Sequence, residues 1–336
     1  MSTATIGATE LEALIVKAME ASDTSGVVAL SVARALAQAE IDGQKGHGLS
    51  RVPSYAAQAK SGKVDGRATP HSHQMRSGSL MVDAKNGFAF PAVNLAIALL
   101  PELTTANGIA AAGITRSHHF GVAGRHVERL AEAGFVALAF GNTPKAMVPW
   151  GGTQPLFGTS PIAFAAPHRG HPPIVVDMAL SQVARGKILT AAQKGEAIPE
   201  GWAVDENGQP TTNAAAALKG ALQPIGGAKG AALALMVEVL AVALTGARFG
   251  FEASSFFDAD GPPPGVGQFL IAVDPGAFGG TDVFADRIAA LTGMIEGDGD
   301  ARLPGSRRIA LREKADREGV TIDSKLLVEV RALAAI

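Results

Sequence analysis

The sequence predicts an α/β fold. The first observation behind that is alternation: short apolar runs rich in Val, Ile, Phe and Ala interleave with stretches of helical spacing along the chain. The second is size and balance. With 336 residues, 47% hydrophobic and 18% charged, the chain can bury a large core in one large domain or two lobes. The third is an absence of internal repeats and low-complexity tracts. A net charge of −2 leaves no electrostatic footprint for nucleic acid. With no cysteine, disulfides, thiolate catalysis and Cys-type metal sites are excluded. The N-terminus lacks a basic start followed by an apolar stretch, and no uninterrupted apolar run of roughly 18 residues suggests a span. The expectation is a soluble cytoplasmic protein with no membrane partner. Aromatic residues are only 5% and alanine is abundant, which suits close helix packing.

The first 42 residues read as helical. Thr9-Glu10-Leu11-Glu12 has the form of a capping box, with Thr9 as N-cap and Glu12 reaching back. Leu11, Leu14, Ile15 and Ala18 follow at helical spacing. A second helix from Ser25 carries Val28, Val32, Ala35, Leu36 and Ala39 on one stripe and ends near Asp42-Gly43. Ser50 is placed to cap a third helix, with Pro53 tolerated in its first turn. Residues 78–84 read as a strand, 91–106 as a helix closed by Asn107-Gly108, and 109–115 as a strand. A helix runs from SHHFG to about Gly134, followed by strands at 135–140, 161–167 and 173–179. Another helix is expected near 181–194, and 199–213 is turn-rich. Residues 226–246 form a strongly apolar helical stretch, long enough to span a membrane. Lys229, Glu238 and the lack of flanking charge bias predict a buried core helix instead. A strand at 267–274 and closing helices complete the chain, the last helix running from about Asp323.

One stretch raises a chemical question. In KGHGLSRVPSY (45–55), glycines flank His47 and would let a ligand approach the ring. His47 can exchange a proton near neutral pH, and Arg51 can grip a carboxylate through two parallel hydrogen bonds. Tyr55, the only tyrosine, shares a helix face with Arg51. The competing reading is a surface loop with a stray histidine and a solvated arginine. No G-x-G-x-x-G follows a strand anywhere, so the standard dinucleotide fingerprint is missing, and so is a Walker A loop. GGAKG at 226–230 is the nearest thing to a phosphate loop, or else an ordinary glycine-rich helix start. SHHFG at 117–121 lies between a strand and a helix, where open sheets bind ligands. At most one of its histidines is expected to face a site, and no third ligand at suitable spacing supports a metal. His71 and His73 are expected in a polar loop, His168 and His171 beside a turn, and His126 on a helix. Thr159 and Ser160 in FGTSPIAFAAP could bind a carboxylate, amide or phosphate, or serve only as turn residues. Asp177 ends an apolar run, where a carboxylate needs a partner; ligand contact and structural cap are equally open. RLPGSRR (302–308) concentrates three arginines, fit to grip a phosphate such as the 2′-phosphate of NADP, or else a solvated basic turn.

In order, HGLSRVPSY, SGKVDGRATP, NGFAFPA, SHHFG, PLFGTSPIAFAAP, VVDMALS, GGAKGAALALMVEVL, GQFLIAVDP and RLPGSRR resemble one family over nearly the whole chain. It is the malate/L-lactate dehydrogenase-like family of NAD(P)H-dependent oxidoreductases, distinct from the Rossmann lactate dehydrogenases. Within it the chain looks most like the Δ1-piperideine-2-carboxylate/Δ1-pyrroline-2-carboxylate reductases. The resemblance implies a non-Rossmann NAD(P)-binding fold on a mixed, largely antiparallel sheet flanked by helices, with a helical N-terminal region, and a homodimer. It divides the chain into a helical region carrying the His/Arg loop (1–75), a cofactor-binding α/β core (76–300) and a helical C-terminal segment packing back on that core (301–336). NADPH is the implied cofactor, with NADH the alternative.

The resemblance makes His47 the proton donor, Arg51 the carboxylate-binding residue, and Tyr55 and Thr159 substrate contacts. In the motif ARGK it adds Arg185 and Gly186 as substrate-binding and Lys187 as catalytic. Cofactor contacts carry over to His118, His119, Phe120, Gly121 and Val122, to Asp177, Met178 and Ala179, and to Ala228 and Lys229. They also carry over to Arg302, Leu303, Pro304, Gly305, Ser306 and Arg307. Two positions depart from the imine reductases. Gly46 stands where the family usually has serine, and Lys187 stands where those reductases have aspartate, so the Ser–Asp relay to the histidine is absent at both ends. Lys187 matches the wider family. The implied reaction is reduction of a small cyclic imino acid to L-proline or L-pipecolate, with hydride passing from nicotinamide C4 to substrate C2. The alternatives are the same chemistry on a 2-oxoacid/2-hydroxyacid pair, and an inactive cofactor-binding relative.

Overall fold

In the computed structural model, which describes residues 2–335, the six apolar runs read as strands all form strands of one sheet. In chain order, β1 (Thr3–Ile6) leads into helices α1 (Ala8–Glu20), α2 (Gly26–Ile41) and α3 (Val52–Lys60). Then come β2 (His71–Arg76), β3 (Ser79–Asp83), α4 (Ala89–Asn107), β4 (Ile109–Ser117), α5 (Ala123–Glu132), β5 (Val136–Gly141), β6 (Ile162–Ala166) and β7 (Ile174–Met178). A smaller subassembly follows: α6 (Arg185–Lys194), β8 (Ala203–Val204), β9 (Pro210–Thr211), α7 (Ala214–Lys219) and β10 (Ala221–Leu222). The chain ends through α8 (Ala228–Glu238), β11 (Val266–Val273), α9 (Thr281–Glu296), α10 (Ser306–Glu318), β12 (Val320–Asp323) and α11 (Ser324–Leu333).

The main sheet has the order β2-β3-β4-β11-β5-β6-β7. Only β3 and β4 run parallel; every other neighbouring pair is antiparallel. The sheet is therefore mixed and mostly antiparallel, as the resemblance implied. Late-arriving β11 inserts between β4 and β5, pairing Leu270 with Ala112 on one side and Ala139 on the other. Helices cover both faces. On one, Ala110, Ala112, Ala137, Ala139, Ala163, Ala165 and Ala272 form an alanine floor that lets α4 and α5 approach closely. On the other, Leu138, Phe140, Phe269 and Ile271 meet α8 and the α6–α7 subassembly. A separate core joins Leu11, Ile15, Val32 and Leu36 of α1 and α2 to Ile322, Leu327 and Val330 near the C-terminus, closed by antiparallel β1–β12 pairing.

Several local expectations are corrected. Thr9 does not cap α1; Gly7 is the N-cap, its carbonyl receiving Leu11 N–H at 2.9 Å. Ser50 does not cap α3, because its hydroxyl turns back to the Lys45 carbonyl at 2.6 Å. His71 and His73 belong to β2, not a loop, although both remain exposed on that edge strand. The 226–246 stretch is not one buried helix. α8 passes into a π turn at Val239–Ala243, and Leu233, Leu235, Met236, Val239 and Leu244 are exposed. Among the described residues the helix long and apolar enough to cross a membrane is α4, whose 18-residue window has a mean hydropathy of 1.3. Its Ala92, Val93, Ala96 and Leu100 are buried against the sheet, which makes it a core helix.

A candidate active site at the end of strand β4

Two short 3₁₀ turns, Lys45–His47 and Leu49–Arg51, carry the chain from α2 to α3. Buried Glu40 anchors them by accepting Leu49 N–H at 2.8 Å. A Cβ at Gly48 would lie 2.5 Å from that carboxylate, so this glycine is required by packing. Gly46 has open space around its Cα, and a side chain would fit there. The turns aim His47 at the segment that follows β4. His47 Nδ1 lies 3.1 Å from His119 Nε2, and the two rings stack with centroids 5.1 Å apart. His119 Nδ1 lies 2.5 Å from the hydroxyl of Tyr55, which is buried in α3.

These groups are neutral near pH 7. Burial, reinforced by the Arg51 charge, pushes His47 down to about 4. Burial likewise pushes His118 down to about 3 and His119 well below its ordinary value, and it pushes the Tyr55 phenol up. The phenol proton has one acceptor, His119 Nδ1. That assignment puts the His119 proton on Nε2, facing His47 Nδ1, and leaves the His47 proton on Nε2. His118 turns elsewhere: its Nε2 meets Gln58 Oε1 at 2.8 Å, and its ring packs among Phe88 and Phe256.

Arg51 completes the cluster. Its Nε donates to the Gly46 carbonyl at 2.7 Å, and its guanidinium lies 4.7 Å from the Phe257 ring centroid. Its Nη1 is buried and has no partner. A buried guanidinium donor left unpaired is costly unless a ligand supplies the acceptor. Thr159 sits on the turn before β6, with its N–H on Thr143 Oγ1 at 2.9 Å. Ser160 beside it is buried and held at φ +43°, an uncommon conformation for a side-chain-bearing residue. Arg185, Gly186 and Lys187 open α6, where Arg185 Nη2 donates to the Leu218 carbonyl at 2.6 Å. Gly186 and Lys187 line a cavity of about 340 Å³ with Ile198, Pro199 and Trp202, and none of the three makes a hydrogen bond to the His47 cluster.

The segments carried over as cofactor contacts adjoin one another. Asp177 Oδ2 accepts Gly124 N–H at 2.7 Å, so Asp177 caps α5 just beyond His118–Val122. A Cβ on Gly305 would lie 3.4 Å from the Val175 carbonyl, which sets the 302–307 turn against β7. Ile225 N–H donates to the Leu180 carbonyl at 2.8 Å, bringing the GGAKG turn to the end of the 177–179 segment. Lys229, Arg302 and Arg307 are exposed and form no ion pair among the described residues, and Met178 and Ala179 are also exposed. Arg308 is withdrawn, buried between Asp42 and Glu128. Free cations beside a helix start with two positive-φ glycines, Gly226 and Gly227, fit a dinucleotide carrying several phosphates.

Sequence reasoning missed Gln58, Lys63, Phe256 and Phe257. The dipeptide Phe256-Phe257 lies in a stretch without periodicity, and nothing local connects it to Arg51. In the sequence Glu238 stands out only as a charge in an apolar helical stretch. It is a buried carboxyl behind the Thr159 turn, with Oε2 on Gly250 N–H at 3.3 Å, and burial pushes it up to about 7.

The class this fold and site define is that of oxidoreductases built outside the Rossmann plan. The model of the malate/L-lactate dehydrogenase family matches residues 6–331. The (2R)-3-sulfolactate dehydrogenase (NADP(+)) of Chromohalobacter salexigens is 49% identical, over 97% of this chain and 96% of that protein. The Δ1-pyrroline-2-carboxylate/Δ1-piperideine-2-carboxylate reductase of Pseudomonas putida is 44% identical, over 97% and 95%. The crystal structure of Δ1-piperideine-2-carboxylate reductase from Pseudomonas syringae pv. tomato superposes with a TM-score of 0.93 at 41% identity, covering 98% of this chain and 99% of that one. The chain belongs to the malate/L-lactate dehydrogenase family and is an oxidoreductase.

Proposed function

We propose that the protein is an NADPH-dependent reductase of a small cyclic imino acid, Δ1-pyrroline-2-carboxylate or Δ1-piperideine-2-carboxylate. The observation that carries this reading is the surroundings of Arg51. One guanidinium offers a buried, unpartnered Nη1, while the groups around it are an aromatic ring and imidazoles that burial keeps neutral. Such a site suits one carboxylate attached to an apolar ring. Bound NADPH supplies the hydride, and exposed Arg302 and Arg307 are the proposed counter-charges for its 2′-phosphate. Arg51 fixes the substrate carboxylate, Thr159 contacts the substrate, and His47 holds a proton at Nε2. A cyclic imine that binds as its protonated iminium needs alignment more than an acid, so Gly46 in place of serine is tolerated. We also propose a homodimer, with a second copy on the exposed apolar face of α8.

The 49% identity to a sulfolactate dehydrogenase favours a second reading, a 2-hydroxyacid carrying two negative charges. There a neutral His47 would be the base for oxidation, and a second cation would be needed for the sulfonate. Lys187 is the first candidate for that role. The test is loss of NADPH absorbance with Δ1-pyrroline-2-carboxylate and 3-sulfopyruvate offered in parallel. Turnover of the imine, scarcely changed in Gly46→Ser, supports the first reading. Turnover of 3-sulfopyruvate alone overturns it in favour of the second. If neither reacts while NADPH still binds, the protein is an inactive relative.

A further inference from the structure

The segment after Phe249 forms a strap tied to the end of α3. Gln58 Nε2 donates to the Phe256 carbonyl at 2.7 Å and the Asp258 carbonyl at 3.2 Å. Ser61 Oγ donates to the Ala259 carbonyl at 2.7 Å. Lys63, only 3% exposed, places Nζ 2.8 Å from each of the Ser255, Asp258 and Asp260 carbonyls. A buried ammonium satisfied by three carbonyls, and not by a carboxylate, is a positional lock. The strap and the helix carrying Arg51 and Tyr55 are thereby one unit. Its two aromatic residues have different surroundings. Phe256 is buried, with its ring centroid 5.2 Å from His118 and 5.4 Å from His119. Phe257 is 67% exposed, yet its ring covers the Arg51 guanidinium. An aromatic side chain so open to solvent has little packing reason to be there.

Arg51 is held at two points, Nε by the Gly46 carbonyl and the guanidinium by the Phe257 ring, while its buried Nη1 has no partner. A carboxylate is taken in the guanidinium plane, at its edge. The face is therefore free for an aromatic ring, which attracts the cation without competing for the same donors. The ring face that attracts the cation repels an anion. We infer that Phe257, carried on the strap of residues 254–260, is a selectivity residue of the carboxylate subsite. It holds Arg51 in its binding pose and walls the subsite with an aromatic ring that admits an apolar body and disfavours a second negative charge. This rests on Arg51 being the carboxylate-binding group.

The experiment compares Phe257→Ala, Phe257→Trp and Phe257→Lys with the intact protein, alongside Arg51→Ala. Phe257 is exposed, so its variants should fold. The readouts are kcat and KM for the substrates in the parallel assay, with pyruvate added, and the Kd of pyrrole-2-carboxylate by calorimetry. That compound has the ring and carboxylate but no reducible C=N bond, so its binding is read whether or not turnover occurs. Phe257→Ala should raise KM and Kd about fivefold with kcat within twofold, and Phe257→Trp should restore both. Phe257→Lys should shift the preference for 3-sulfopyruvate over the singly charged substrates by about tenfold or more. If Phe257→Ala leaves KM and Kd unchanged, or Phe257→Lys leaves the preference unchanged, the inference is wrong. If Arg51→Ala is also without effect, the carboxylate reading of Arg51 fails with it. A rise with Arg51→Ala alone condemns Phe257 only.

Discussion

At the scale of single residues, the missing Ser–Asp relay finds a structural counterpart in an imidazole–phenol chain. Tyr55 donates to His119 and His119 to His47, over 2.5 Å and 3.1 Å. Each imidazole can take a proton on one nitrogen as it gives one up from the other, while the Tyr55 hydroxyl fixes which nitrogen of His119 is protonated. The Nε2 proton of His119 thus lies beside His47 Nδ1, where it supports His47 as its own Nε2 proton leaves. Tyr55→Phe removes the far end of the chain and leaves His119 Nδ1 without the partner that sets its tautomer. A reaction that needs a proton donor should lose about 100-fold in kcat, the lower range for general acid catalysis. Reduction of an iminium should stay within about tenfold of the wild type. Steady-state rates on pyruvate or 3-sulfopyruvate and on Δ1-pyrroline-2-carboxylate separate the two cases, and equal losses on both would count against the chain as a proton path. His47, Arg51 and Tyr55 could be singled out in the sequence because their residue types and spacing carry the chemistry. Their connection to His119 could not, because 64 residues separate Tyr55 from it and only the fold closes that distance.

At the scale of elements, what could be read depended on how strong the local pattern was. Strands such as β5 and β6 are short apolar runs bounded by turn residues, and their limits were found within a residue or two. β1, β2 and β12 were not read as strands. They are edge or two-stranded elements with polar exposed faces, such as His71–Arg76, whose pairing partners are visible only in three dimensions. α8 exposes the opposite difficulty. Apolarity on all sides suggested burial, yet the π turn after Glu238 and five exposed large apolar side chains leave one face bare. That face bears Leu233, Leu235, Met236, Val239 and Leu244 and has Lys229 as its charge near one end. An apolar strip of this kind on a helix that also packs on the sheet is where a second copy should dock. Light scattering on the purified protein should give twice the chain mass of 34.2 kDa. Leu235→Asp with Met236→Lys should shift it toward the monomer with the fold retained by circular dichroism. A monomeric wild type, or a double variant that stays dimeric, would remove α8 from the interface.

At the scale of the whole molecule, the α/β class was readable from alternation, but the strand order was not. β11 is separated from β4 and β5 by more than a hundred residues of chain, and its insertion between them is a tertiary decision. The same fold withdraws several ionisable groups from water, and this fixes how stability responds to pH. His47 and His126 are pushed down to about 4 and His118 to about 3, all mainly by burial, and burial pushes His119 well below its ordinary value too. Below an ordinary value of 6.5, the unfolded chain takes up these four protons and the folded chain does not, so each histidine lowers stability as pH falls. Glu238, pushed up to about 7, has the opposite sign: the folded chain keeps a proton that the unfolded chain loses above its ordinary 4.5. Burial pushes Glu40 and Asp177 up as well. Against the four deeply buried histidines, Glu238 is the carboxyl whose folded value reaches above this range, and burial lowers His168 in the same sense as the four. Stability should therefore fall as pH drops from 6.5 to 5, each proton taken up by the unfolded chain alone being worth up to about 1.4 kcal/mol per pH unit. Urea midpoints measured across that range read the slope directly. A midpoint that holds steady or rises on acidification would mean that water or counter-charge reaches the histidines in solution, and the neutral chain from Tyr55 to His47 would lose its basis.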